Sequence, residues 1–584
     1  VFIALISQQQ PRIQPVHTDP STKLAFRQTN FYCLAWHTIP ADTFCFSRYN
    51  GIYHSNRVYR WFVRFVQYIK TIHEAELKMK KGERIEGFQI KSIDVLPKLK
   101  NTMIQLEHEK TGAKMIHLSN EDDNNGFAVA FRTTPVDSTG VAHILEHTAL
   151  CGSRRYPVRD PFFSMIKRSM KTFMNAFTAS DWTMYPFATQ NETDYFNLLN
   201  VYLDAALFPL LSEESFKQEG HRLEFEEQED PNSPLTIQGI VYSEMKGAMS
   251  SQSQIMHRSM GNALFPTVTY RHNSGGDPEC IADLTHKQLL DFHRFYYHPS
   301  NAYFYTYGDI DLEKRLQVIN VSLTEFDKID IDTIVPDEKR FTSPQSFRYQ
   351  YPLNQAENDG EKCQIALGWL TCSIQDPVEI LSLQVINLIL LGHSGAPLRK
   401  KLLESKLGKS LADTTGFEDE IKEAYFSVGL QAVAEKNIPQ VEKLIFETLQ
   451  EIVDAGIEPE QVNSAIHQME LDTREISGGH YPYSLNLLFR FFGTWMHGGD
   501  PLNSIDFDNI LRQLKTRIEE ENYLESQIKK YLIDNPHRVK VILVPDTELE
   551  GKKLSAVRAS LEKIKSFLSD SEKEKLLLDS KALR

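Results

Sequence analysis

Two histidines four residues apart with a glutamate between them, His143-Ile144-Leu145-Glu146-His147, constrain this chain more than any other feature. Positions i and i+4 share one face of a helix, so both imidazoles can reach a single metal ion, and Glu146 lies within one turn of His143. Apolar Val141, Ile144 and Leu145 among the polar residues predict a helix that buries a face. Buried histidines without a metal would leave ring nitrogens to satisfy. With 19 histidines in 584 residues, about 0.04 chance matches to H-x-x-E-H are expected in such a chain. The alternative, a surface helix with a solvated glutamate, fits the apolar neighbours poorly.

Zinc takes imidazole and carboxylate ligands in tetrahedral geometry, and a catalytic site uses three protein ligands with water in the fourth position. A third ligand is therefore needed. Downstream candidates are Glu213, Glu214, Glu219, His221, Glu224 and Glu244. Glu244 sits in Gln238-Gly239-Ile240-Val241-Tyr242-Ser243-Glu244-Met245-Lys246-Gly247, which reads as a short buried helix, where a carboxylate is costly unless it meets a cation. Spacing alone does not choose among them.

At 584 residues the chain exceeds what one hydrophobic core holds, and length points to roughly three to five domains. Apolar content of 41% and charged content of 24% are ordinary for a globular protein. No apolar run reaches 18 residues, so no membrane-spanning helix is expected. Six cysteines without CxxC spacing argue against a disulfide framework or a cysteine zinc cluster, and fit a reducing or weakly oxidising compartment. Cys151, four residues past His147, reads as a small buried hydrophobe rather than a ligand. The net charge of −14 is uneven: residues 1–73 hold eight Lys/Arg against Asp19 and Asp42, which leaves −20 for the remainder. Nucleic acid is therefore an unsuitable partner, and a cationic peptide a better electrostatic match.

Residues 1–73 show no sustained periodicity apart from a basic aromatic stretch, Arg57 to Arg64, and their acid-poor composition is transit-like or that of a disordered leader. Beyond them, Met103 to Leu106, a turn at Lys110-Thr111-Gly112, and Met115 to Leu118 predict a hairpin. Phe127, Val129 and Phe131 alternate as in a strand, Thr183 to Thr189 predicts another, and Phe196, Leu199, Tyr202, Leu203 and Ala206 recur at helical spacing. The polar, proline-containing stretch from Asp327 to Ser346 reads as a linker, after which a strand at Ala424 to Ala434 and an amphipathic helix from Ile438 to Ile452 resume. Strand followed by long helix thus occurs on both sides of the linker and hints at duplication. The expected division is a leader at 1–73, a catalytic domain at 74–326, a linker at 327–346, a second domain at 347–548 and a helical connector at 549–584.

The run from Arg132 to Ser153 resembles the inverzincin peptidases of the pitrilysin group, peptidase family M16, subfamily C. The resemblance continues through Tyr156 to Phe163, Thr172 to Asp181, Glu244-Met245-Lys246-Gly247, Gly275-Gly276-Asp277-Pro278 and Tyr297 to Ala302. It covers about Glu74 to the C-terminus. An insulysin-like peptidase fits the E-M-K-G and G-G-D-P segments less well. The resemblance implies an α+β fold of two pitrilysin-like domains in tandem, each a mainly antiparallel sheet covered by helices. It assigns zinc ligation to His143, His147 and Glu244, one Zn²⁺ per chain, and proton transfer to Glu146. Asn175-Ala176-Phe177-Thr178 resembles the family's edge strand, which binds substrate by strand addition; an ordinary paired strand is the alternative.

Family substrates are unfolded peptides, including cleaved targeting sequences, so the resemblance implies a zinc metalloendopeptidase of the mitochondrial matrix that acts on cationic presequences, monomeric at full length. The family's folded part is about twice as long, and its second half supplies an arginine and a tyrosine to the site. This chain is expected to correspond to an N-terminal half. The competing expectation is a half that binds zinc and peptide without catalysing.

Overall fold

The computed structural model describes residues 79–357, 360–474, 479–520 and 522–583. The expected leader at 1–73 lies outside the described residues. The predicted hairpin forms: Asn101–His108 and Lys114–Ser119 pair antiparallel, with Leu106 opposite Met115, and Gly112 turns the chain at φ 75°. They belong to a nine-stranded sheet in the order Arg84–Ile85, Phe88–Leu96, Asn101–His108, Lys114–Ser119, Ala302–Gly308, Asn125–Arg132, Trp182–Thr189 and Lys171–Met174, with Phe177–Thr178 also on Trp182–Thr189. All eight residues of Asn125–Arg132 are buried, because both faces of this central strand are covered. Phe127, Val129 and Phe131 fill one face, while the small Ala128 and Ala130 on the other admit aromatic side chains from a helix below.

A second, six-stranded sheet repeats the plan. In the first, Lys114–Ser119 runs parallel to Ala302–Gly308, which is antiparallel to Asn125–Arg132, itself antiparallel to Trp182–Thr189. In the second, Gln345–Pro352 runs parallel to Arg538–Asp546, which is antiparallel to Cys363–Ser373, itself antiparallel to Glu423–Val433. The duplication hinted at by the strand and helix order is thus written in the topology. Each sheet is mainly antiparallel, with one parallel pair closed by the last strand of the unit.

The two sheets exchange helices across the stretch between Leu323 and Gln345. Helix Tyr483–Met496 buries Leu485, Leu488, Phe491 and Trp495 under Ala128, Ala130, Tyr303 and Tyr305 of the first sheet. Reciprocally, helix Gln252–Leu264 buries Met256, Met260 and Leu264 against Ala366, Val539 and Val541 of the second. The stretch between Leu323 and Gln345 has neither helix nor strand, yet Thr333, Val335 and Glu338 on it are buried. Thr333 donates to Asn301 Oδ1 at 2.7 Å, and Glu338 accepts from Thr267 Oγ1 at 2.6 Å. Thr333 Oγ1 also accepts from Arg132 Nη1 of the first sheet at 3.2 Å, and Glu338 N donates to Glu423 Oε2 of the second at 2.6 Å, so this segment is fastened to both sheets. The chain ends in helices Leu549–Phe567 and Asp570–Leu583, as its Lys/Glu/Leu composition predicts.

Candidate metal centre

The H-x-x-E-H segment lies on helix Val141–Ala149, where every residue except His147 is buried. Gly140 begins it in the left-handed region at φ 73°, and a Cβ there would meet Gly275 O and Gly276 Cα at 2.8 Å. Only glycine lets the start of this helix approach the Gly275-Gly276 loop so closely. The approach has a chemical consequence: His143 Nδ1 lies 3.0 Å from Gly275 O. A carbonyl can only accept, so Nδ1 carries the hydrogen and the Nε2 lone pair faces the other way, toward Glu244 Oε2 at 3.9 Å.

Glu219 does the same for His147. It is the last residue of helix Glu213–Glu219, buried, with Oε2 3.2 Å from His147 Nδ1. Glu244 follows on helix Ile240–Ala248. A Cβ on Gly239, just before this helix, would collide with the carbonyl of Gly220, just after the preceding one. Two glycines thereby let the end of one helix abut the start of the next, which keeps Glu219 and Glu244 in the same neighbourhood. Ligand atoms of His143, His147 and Glu244 all lie within 4.8 Å of one another, and the imidazole rings stand nearly perpendicular with centroids 5.0 Å apart.

Electrostatics follow from burial. Desolvation, reinforced by the neighbouring His147, pulls His143 down to about 3, so its imidazole is neutral near pH 7. For His147, desolvation works against the charge but is outweighed by the Glu219 hydrogen bond and the nearby carboxylates, and its pKa rises. Desolvation raises both Glu146 and Glu244. Glu146, 3% exposed, accepts a 2.6 Å hydrogen bond from Thr178 Oγ1, which works in the opposite direction.

Of the six downstream candidates for a third ligand, the fold brings only Glu244 into the triad. Glu213 pairs with Lys217 and Glu214 is exposed on the same helix. His221 Nε2 meets Leu284 O at 2.7 Å, and Glu224 pairs with Arg222 at 2.8 Å. Glu219 is close, but behind His147. Cys151 Sγ lies 3.4 Å from His147 O, and burial followed by Glu219 raises its pKa, so it remains a thiol.

Asn175 to Thr178 occupy the last rung of the first sheet. Lys171–Met174 and Phe177–Thr178 both pair with Trp182–Thr189, and among the described residues no further strand lies outside them. Asn175 N donates to Pro186 O at 3.2 Å, its carbonyl accepts from Tyr202 OH at 3.2 Å, and Ala176 is buried. Phe177 is half-buried among Phe173, Tyr481 and Phe489, with centroids 5.9 to 6.2 Å away. Sequence reading missed Glu219's place behind His147, the Gly275 carbonyl, the Thr178 link to Glu146 and the Tyr481 and Phe489 contributions. The only local signals were the glycines at 140, 220, 239 and 275.

Residues 132–256 match the family described as Insulinase (Peptidase family M16), and residues 283–469 match the Peptidase M16 inactive domain. The chain is 41% identical over 521 residues to the mitochondrial presequence protease of Xenopus laevis, covering 89% of this chain and 50% of that protein. It is 40% identical over 506 residues to the Mus musculus protein of the same name, covering 86% and 49%. The chain spans about half the length of the curated relatives it matches. Among solved structures, a protease from Helicobacter pylori superposes with a TM-score of 0.58 at 16% identity, covering 75% of this chain and 98% of that one. That likeness shows the α+β pitrilysin-like fold. Taken with the two domain matches and the extent of the similarity, it follows that the chain belongs to peptidase family M16, in its presequence protease group, subfamily C.

Proposed function

We propose that this chain is the zinc-binding catalytic portion of a metalloendopeptidase that degrades unfolded peptides. The observation that carries the reading is the convergence of His143, His147 and Glu244 within 4.8 Å, with both imidazole Nδ1 atoms occupied from behind. This donor set suits zinc: two imidazoles, one carboxylate, and outer hydrogen bonds that orient the rings. Three carboxylates in a largely buried site (Glu146, Glu219 and Glu244) also favour a divalent cation, which would offset charges that burial makes costly.

His143, His147 and Glu244 would hold one Zn²⁺, which supplies Lewis acidity toward water and the scissile carbonyl. Glu146 takes the proton of the attacking water and returns it to the leaving amine. Burial raises its pKa and so makes it a stronger base than an exposed carboxylate, while the Thr178 hydrogen bond favours the ionised form. Asn175, Ala176, Phe177 and Thr178 would receive the peptide as an added strand next to Glu146. Cleaved mitochondrial presequences are the substrates we favour, in the mitochondrial matrix: the curated relatives are named mitochondrial presequence proteases, and the −20 charge beyond residue 73 suits cationic peptides. The working division remains a catalytic domain at 74–326, a second at 347–548 and a connector at 549–584, the full-length protein acting as a monomer.

The alternative is a protein that binds zinc and peptide without turnover. Zinc content, together with cleavage of a quenched presequence peptide with and without chelator, separates the two. Stoichiometric zinc with chelator-sensitive cleavage supports the peptidase. Zinc without cleavage supports the alternative, and absence of zinc overturns both.

A further inference from the structure

We propose that the C-terminal helical pair, Leu549–Phe567 and Asp570–Leu583, is a clamp that positions the outer supports of the metal cluster and so sets metal affinity from far downstream in the chain. The inference rests on the zinc reading above. Its starting point is the hairpin Arg222–Phe225 and Leu235–Gln238, which joins Glu219 to Glu244 and forms a two-stranded sheet separate from both large sheets. An isolated hairpin of such short strands is marginal in water and needs packing to stay ordered.

The helical pair supplies that packing. Leu561, 6% exposed, lies against Phe225 and Leu235, which are 3% and 4% exposed, with Val557, Leu568, Leu576 and Leu577 around them. Lys565 Nζ donates to the carbonyls of Asn232 at 2.6 Å and Ser233 at 2.8 Å, closing the hairpin's turn. Two further contacts reach the other supports. Asp579 pairs at 2.9 Å with Lys217, two residues ahead of Glu219, and Lys553 pairs at 2.7 Å with Glu279, four residues beyond the Gly275 carbonyl that orients His143. The helical pair therefore touches each segment that holds a ligand from behind.

Exposed ion pairs contribute little singly, so the apolar contact at Leu561 dominates and the lysines fix its alignment. A ligand and the group that orients it must be held within about 0.5 Å of the productive geometry, and loosening the hairpin would let the support Glu219 and the ligand Glu244 move relative to His147. The residues of the pair are positioning residues: they act through the hairpin and helices and are not among His143, His147 and Glu244.

The test uses the full chain and two readouts: zinc affinity by competition with a chromophoric chelator, and amide hydrogen exchange of the metal-free protein. Leu561→Asp should weaken zinc binding about tenfold or more and raise exchange over residues 222–248 while Asn125–Arg132 stays protected. Leu561→Ala and the pair Lys217→Ala with Lys565→Ala should move both readouts the same way by less, and they keep the test readable if the aspartate variant does not fold. Faster exchange at the hairpin with zinc affinity unchanged would overturn the clamp, as would unchanged exchange in every variant. A wild-type chain that binds no zinc instead sinks the metal reading on which the clamp depends.

Discussion

Thr178 Oγ1 donates a 2.6 Å hydrogen bond to Glu146 Oε2, tying the outermost rung of the first sheet to the helix that carries both histidines. The bond joins the proposed peptide-binding edge to the proposed base, so strand addition and proton transfer would share one hydroxyl. A hydrogen bond to a charged group contributes about 1.5–3 kcal/mol, and Thr178→Val should lower kcat roughly ten- to hundredfold while Thr178→Ser restores it. Because the bond favours ionised Glu146, its loss should also move the acid limb of the kcat/KM profile to higher pH. A KM effect with kcat unchanged would leave Thr178 only a binding role.

Glu146→Gln preserves shape and removes the base. We expect zinc content to stay at the wild-type level and turnover of a quenched peptide to fall about 10²–10⁴-fold. Undiminished hydrolysis would refute the assignment.

Glu219 acts through His147 rather than on the metal, given its 3.2 Å contact with Nδ1. Glu219→Gln should retain zinc but bind it about 10–100-fold more weakly, whereas Glu244→Ala should lose it. Chelator competition on the two variants, run side by side, distinguishes an outer support from a ligand.

Because helix Tyr483–Met496, which follows the second sheet's strand Glu423–Val433 in the chain, covers the first sheet, the sheets should unfold together. Phe491, fully buried beneath Tyr305, is the probe: Phe491→Ala should cost about 3–5 kcal/mol and shift one cooperative denaturation curve. Two separated transitions would show that the sheets are independent.

His117 is fully buried between the parallel strands Lys114–Ser119 and Ala302–Gly308, with Nδ1 2.9 Å from Thr306 Oγ1. Burial, then Arg315, hold its pKa well below 6.5. The unfolded chain therefore binds a proton that the folded one refuses, and the associated stability is complete above pH 6.5 and lost as pH falls below it. Melting of metal-free protein between about pH 7.5 and 4.5 should show a falling Tm on acidification, with a shallower slope in His117→Phe. An unchanged slope would remove His117 from the linkage.

The helix with His143, Glu146 and His147 is legible from residue spacing, since i and i+4 geometry is local, and so are the strands and helices whose apolar residues recur at period 2 or 3.6. Resemblance extended this to Glu244 and to the rung at Asn175 to Thr178. The rest depends on segments distant along the chain that meet only on folding. Spacing leaves Glu219 and Glu244 both as candidates, and the fold separates them: the abutting glycines Gly220 and Gly239 bring the two helix ends together, Glu219 reaches His147 Nδ1, and Glu244 joins the ligand atoms of the two histidines. Duplication was only a hint in the element order, because similar pairing orders can be built from dissimilar side chains; strand register made it explicit. The exchange of helices Gln252–Leu264 and Tyr483–Met496 between sheets left no periodic trace, because an amphipathic helix records that one face is buried and not which surface buries it.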